Sequence, residues 1–151
     1  MRIAIGCDEA AYDLKEAIKQ YLNTKDCTLV DVGTYDKNPV LYPDIAEKVC
    51  NEILNNNCER GILFCGTGIG MSITANKIPG IRAAVVHDIF SLERMIKSND
   101  CQIICMGSRI IAQQTAEFLL DRWLKIKFID SPSTEKINRI KQIENKYNNV
   151  R

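Results

Sequence analysis

The sequence predicts an α/β protein: a three-layer, Rossmann-like fold with a five-stranded parallel sheet and a C-terminal helix. Two observations carry that reading. Short apolar, β-rich runs alternate with longer amphipathic stretches along the chain, the order that builds successive strand–helix–strand units. The strand-like runs are apolar at nearly every position, as strands covered on both faces are. A length of 151 residues accommodates one hydrophobic core, so residues 1–151 read as a single domain.

Each element has its own signal. "RIAIGC" (2–7) is the first strand, and "AAYDLKEAIKQYL" (10–22) follows as a helix gathering Leu14, Ile18, Tyr21 and Leu22 on one face. "CTLVDVG" (27–33) is a strand ending at Gly33. "PDIAEKVCNEIL" (43–54) is a helix with Asp44 in its first turn, where a carboxylate complements the helix dipole, and with Ile45, Val49 and Ile53 spaced for burial. "RGILFC" (60–65), "MSITANKI" (71–78) and "RAAVV" (82–86) are the third strand, third helix and fourth strand. "IFSLERMIKSN" (89–99) is a helix, "CQIICMG" (101–107) a strand, and "AQQTAEFLLDRWLK" (112–125) a helix expected to turn Phe118, Leu119, Trp123 and Leu124 inward. The tail "STEKINRIKQIENKY" (133–147) opens on a capping-box pattern at Ser133 or Thr134 and spaces Ile137, Ile140 and Ile143 as a partly exposed last helix.

Acids nearly cancel bases at a net charge of +1, so nothing global favours nucleic acid or a membrane. The opening "MRIAIGCDEA" lacks the long apolar region of a signal peptide, and the expectation is a mature chain starting there, in the cytoplasm. Seven cysteines without a secretory signal argue against a disulfide framework and for a reducing compartment. His87 is the sole histidine and there is no CxxC pair, so no metal site is expected. Cys101 and Cys105 read as buried strand thiols.

Ligands of parallel sheets bind beyond the carboxyl ends of the strands, which directs attention to Cys7-Asp8-Glu9, Gly33 to Tyr35, Cys65 to Gly70, His87-Asp88 and Gly107 to Arg109. The third of these lies in "GILFCGTGIGMSITANK" (61–77), where a thiol stands at the joint between strand and helix. A dinucleotide fingerprint fits poorly, because Met71 occupies the place of its third glycine, and no Walker loop occurs. Two readings remain open. The glycines make a tight turn around a small buried cysteine, or the loop is an anion cradle carrying an acid–base thiol. In the second, the thiol takes a proton from carbon while loop N–H groups hold the oxyanion that forms. Single residues have plainer alternatives: Asp8 as a helix cap, Tyr42 as packing under the loop, Arg109 as a surface ion pair, His87 as a turn residue.

Nearly the whole chain resembles the sugar-phosphate isomerase family that contains type B ribose-5-phosphate isomerase and the galactose-6-phosphate isomerase subunits. The resemblance is carried by "RIAIGCD" followed by "LK", by "VDVGTYD" and "YPDIAEKV", by "CGTGIGMSITANKIPGIRAA", and by "SND" and "MGSRII". It implies aldose–ketose isomerisation through a cis-enediolate, with ribose 5-phosphate and ribulose 5-phosphate as the default pair and no metal or organic cofactor. Cys65 matches the family's base, Thr67 a residue assisting ring opening, and Gly66, Gly68 and Gly70 the loop that stabilises the enediolate. Asp8, Tyr42 and Asn99 match sugar-contacting positions, and Arg109 a phosphate-binding arginine. The resemblance also implies a homodimer or homotetramer with the site between subunits.

Three places depart from the family pattern. Asp8-Glu9 stands for Asp-His, so an anion replaces a phosphate-binding cation. Ser98-Asn99-Asp100 stands for His-Asn-Asp, which removes a ring-opening histidine; His87 is a candidate substitute. Pro132 and Lys136 stand where arginines are expected, and Lys136, Arg139 or Lys141 can compensate as point charges rather than bidentate forks. All three touch the phosphate and ring-opening end. They keep open another substrate (galactose 6-phosphate, allose 6-phosphate or a tetrose phosphate), a partner subunit that completes the site, and a non-catalytic phosphosugar-binding subunit.

Overall fold

The computed structural model describes residues 1–148, so the last three residues of the expected 1–151 domain lie outside the described part. In chain order the elements are β1 (Arg2–Cys7), a 3-10 turn (Glu9–Ala11), α1 (Tyr12–Leu22), β2 (Thr28–Asp31), α2 (Tyr42–Leu54), β3 (Arg60–Cys65) and α3 (Ile69–Ala75). They continue with β4 (Ala83–Val85), α4 (Ile89–Lys97), β5 (Ile103–Gly107), α5 (Gln113–Lys125) and α6 (Ser133–Asn148). All strand pairs are parallel, in the order β2-β1-β3-β5-β4. This is the expected five-stranded parallel sheet with helices on both sides and a C-terminal helix.

Alternate strand residues feed two apolar layers. Ile3, Ile5, Ile62, Phe64, Ile104 and Met106 face α1, α4 and α5, where Ile18, Leu92 and Trp123 meet them. Ala4, Leu63, Cys65, Ile103 and Cys105 face α2 and α3, meeting Ile45, Val49 and Met71. Each large side chain buried this way contributes roughly 1.5–3 kcal/mol.

Two local expectations are corrected. Phe118 is 65% exposed, whereas Ala116, Leu119, Leu120 and Trp123 are the buried residues of α5. Those four follow the i, i+3, i+4, i+7 spacing of one face, and Phe118 falls on the opposite side of the helix. Leu124 is half-buried. The capping box at Ser133 or Thr134 does not form either. The Ser131 hydroxyl accepts from Ser133 N–H at 3.2 Å, while Thr134 Oγ1 accepts from Ser131 N–H at 3.2 Å and donates to Asp130. Proline fits the first helical turn, and Pro132 moves the cap upstream to Ser131.

The direction of the connections reverses between β1 and β3, since β1 leads outward to β2 on one side and β3 begins the run to β5 and β4 on the other. That switch point opens a crevice at the carboxyl edge of the sheet. Cys7 is level with Phe64, and Cys65 with Gly107, so Asp8, Cys65 and the β5 exit emerge side by side.

Candidate active site at the β1–β3 crevice

The crevice is an open cleft of ≈ 510 Å³ lined by Asp8, Tyr42, Cys65, Gly66, Thr67, Gly70 and Arg109, with Glu9, Ile69 and Ile73 on its rim. Cys65 ends β3 and is 6% exposed. The loop after it bends back through Gly68, whose φ of 78° lies in the left-handed region that disfavours a side chain, and Gly68 N–H donates to Cys65 Sγ at 3.0 Å. The donor is aimed at the atom that carries negative charge once the thiol has lost its proton. Because α3 is only seven residues long, the loop's own amides supply most of this polarity. Thr67 Oγ1 accepts from Ile69 N–H at 3.3 Å, and Tyr42 lies against Gly70.

The β5 exit braces this loop from below. Ser108 N–H donates to Cys65 O at 2.8 Å and Arg109 N–H to Gly66 O at 3.1 Å. Gly107 is pressed on the loop so closely that a Cβ there would stand 2.6 Å from Thr67 Cα. The Arg109 guanidinium folds over Gly66, presenting a cation at the cleft.

Asp8 occupies the position before the 3-10 turn; its side chain makes no full cap bond, although the Ala10 and Ala11 N–H groups of the turn lie near its carboxyl. Its Oδ1 is buried and has no hydrogen-bond partner among the described residues. Burial first and the neighbouring Glu9 charge second push its carboxyl above the ordinary value, against the Ala11 and Ala10 N–H groups and Arg109. A carboxylate oxygen held unpaired in a cleft is suited to accept from a ligand hydroxyl. Glu9 is tethered, its Oε2 accepting from Val40 N–H at 3.2 Å.

The structure does not bring every expected residue into this cleft. Gly68 acts from behind the loop, through sulfur. Asn99 follows α4, donates to Arg94 O at 3.1 Å, and its own carbonyl is taken by Arg82 just ahead of β4. It therefore sits at the amino edge of the sheet, and the four-residue rise of β5 from Ile103 to Gly107, ~13 Å, separates that edge from Cys65. Lys136 is exposed on α6, whose Glu144 accepts from Gly80 N–H near the same edge. His87 does not face the cleft as a ring-opening substitute; its Nε2 accepts from Gly107 N–H at 2.8 Å. Sequence reasoning missed Ile69 and Ile73 on the rim, whose signal is two apolar residues at i, i+4 left exposed on a short helix.

A cleft holding a thiol, a convergent amide, an unpaired carboxylate and one guanidinium suits proton transfer between carbons. Fold and site together are those of an aldose–ketose isomerase. The chain belongs to the ribose/galactose isomerase family, whose model matches residues 3–143. It is 50% identical over 146 residues to "Ribose-5-P isomerase B" of Listeria innocua, covering 97% of this chain and 99% of that protein. It is 45% identical over 143 residues to "D-erythrulose-4-phosphate isomerase" of Pectobacterium atrosepticum, covering 93% of each. The solved ribose-5-phosphate isomerase B of Clostridium thermocellum superposes with a TM-score of 0.95 at 38% identity, over 97% of this chain and 99% of that one.

Proposed function

We propose that this chain is a single-domain isomerase that interconverts ribose 5-phosphate and ribulose 5-phosphate, with Cys65 as the base. The observation that carries the reading is the Gly68 N–H held 3.0 Å from Cys65 Sγ at the floor of the cleft. Cys65 thiolate removes the proton from C2 of the open-chain aldose, the electron pair forms the C1=C2 bond and the carbonyl electrons pass to O1, giving a cis-enediolate. The hydroxyl proton then passes from O2 to O1 while the Cys65 thiol, whose proton exchanges in part with solvent, delivers a proton to C1 to give the ketose. Negative charge on the enediolate oxygens is met by the amides of Gly66 to Gly70. Asp8 accepts from a sugar hydroxyl, Tyr42 flanks the chain of the sugar, Thr67 assists ring opening, and Arg109 takes the phosphate.

Two carboxylates at the cleft against one guanidinium leave a phosphate dianion short of cations. Asn99 lies at the far edge of the same chain and Lys136 is exposed on α6 outside the cleft lining, and a second copy is the source we assign for both, in a homodimer or a dimer of dimers. The Glu9 carboxylate on the rim supports a second reading, a different sugar phosphate such as a tetrose phosphate, and the Pectobacterium relative is named for one.

The test is interconversion of four-, five- and six-carbon sugar phosphates followed by NMR in deuterated water, with the intact chain and with Cys65→Ala. The expected result is turnover with deuterium at the exchanging carbon, lost by at least about 100-fold in the variant while the fold is retained. A Cys65→Ala protein that keeps most of its turnover overturns the assignment. Turnover of a tetrose phosphate alone selects the second reading.

A further inference from the structure

His87 leaves β4 and reaches across to β5, where its Nε2 accepts the Gly107 N–H at 2.8 Å. An acceptor at Nε2 requires a neutral ring with its proton on Nδ1. Gly107 is the last residue of β5, and the amides that follow it are committed to the catalytic loop through Cys65 O and Gly66 O. Ser108 Oγ also donates to Ala10 O at 2.9 Å, which ties in the exit of β1. Three consecutive residues thus join the exits of four strands, and the imidazole supplies the bond on the β4 side. Burial depresses the tendency of His87 to protonate, against the pull of Asp88, which agrees with its use as an acceptor.

We propose that His87 is a positioning residue: its unprotonated Nε2 fixes Gly107, and through Gly107 to Arg109 it sets the loop that places Cys65 and the oxyanion-binding amides. The catalytic half of this inference rests on the isomerase reading above. Without an acceptor, Gly107 N–H is a buried donor without a partner. The segment relieves that by shifting, and Cys65 O and Gly66 O move with it. Displacements of about 1 Å at a reacting centre cost on the order of 100-fold in rate.

The experiment compares the intact protein with His87→Leu, which removes the acceptor, and His87→Gln, which returns an acceptor oxygen at similar reach. Nitrogen-15 NMR of the intact protein is expected to show Nδ1 protonated and Nε2 bare; the opposite tautomer overturns the proposal without any variant. In His87→Leu the Ser108 and Arg109 amides are expected to exchange faster, and kcat to fall roughly 10- to 100-fold with a smaller change in KM. His87→Gln is expected to recover most of both. Unchanged amide exchange in His87→Leu, or a His87→Gln protein no better than His87→Leu, overturns it. If the intact protein turns over no sugar phosphate, the isomerase reading fails, and the tautomer and exchange data then decide by themselves whether His87 holds the loop.

Discussion

Asp8 shows how a single side chain is placed at a cost to stability. Its carboxyl sits above the ordinary value of about 3.9 because burial and Glu9 both disfavour the charge. A carboxylate with a raised folded-state value weakens the fold at every pH above that value, and the penalty disappears only when folded and unfolded chains are both protonated. Asp8→Asn is therefore expected to raise the thermal midpoint at pH 7, with the gain shrinking as pH falls through the folded-state value and gone below about pH 4, and to lower kcat/KM. An unchanged or lower midpoint at neutral pH would show that the orphaned oxygen carries no penalty. Glu9 gives the companion prediction. Removing its charge in Glu9→Gln lowers the Asp8 value, so the acid limb of kcat/KM against pH moves to lower pH. Asp8 and Cys65 were legible in the sequence because both end strands within local motifs. The tether of Glu9 to Val40 and the bond of His87 to Gly107 span 31 and 20 residues, and no local pattern announces them.

Among the elements, α1 has a packing that its periodicity conceals. The apolar face read from Leu14, Ile18, Tyr21 and Leu22 is half-buried or buried, yet the fully buried Lys15 is on the same helix. Lys15 Nζ donates to both oxygens of Asp31 at 3.0 Å and to Thr34 O at 2.6 Å, with Glu16 at 3.1 Å. The helix is thereby fastened to the end of β2 and to the turn whose Gly33 and Thr34 bond Cys7 ahead of Asp8. Hydropathy assigns a lysine to solvent, and only the partner strand reveals why this one is inside. Burial opposes ionisation of Asp31, but hydrogen bonds from Lys19, Gly33 N–H and Lys15 outweigh it and hold the carboxyl below its ordinary value. Stability from that depression is present above about pH 4 and is lost as pH falls through the folded-state value. Lys15→Met leaves a part-buried carboxylate with fewer partners and is expected to cost roughly 3–5 kcal/mol in urea unfolding at pH 7, less in acid. A loss below about 1 kcal/mol, in the range of an exposed ion pair, would contradict the buried-anchor account.

For the molecule as a whole, the parallel sheet and its layering followed from the sequence because apolar runs alternate with amphipathic ones along the chain, whereas the strand order, set by long-range pairing, had no local signal. What one chain's sequence could not place was the pair Asn99 and Lys136: their motif matches say "site", while Asn99 lies at the amino edge, across the sheet from Cys65, and Lys136 is exposed on α6 outside the cleft lining. No rearrangement that keeps β5 intact brings Asn99 to the cleft of its own chain. A two-fold pair has self-complementary surfaces, so an amino edge that meets the partner's cleft on one side does so on the other as well. In the proposed homodimer, Ile69 and Ile73, 54% and 57% exposed on the cleft rim, are the apolar surface available for that meeting. The prediction is complementation. Cys65→Ala and Asn99→Ala chains, each inactive alone, are unfolded together, refolded at equal concentration and assayed. A mixed dimer contains one site with both Cys65 and Asn99 intact, so random pairing returns about one quarter of the wild-type rate. Recovery near that level assigns Asn99 to the partner's site. A mixture as inactive as its components, with sedimentation showing that mixed dimers have formed, overturns the shared site, since each site would then draw Cys65 and Asn99 from one and the same chain.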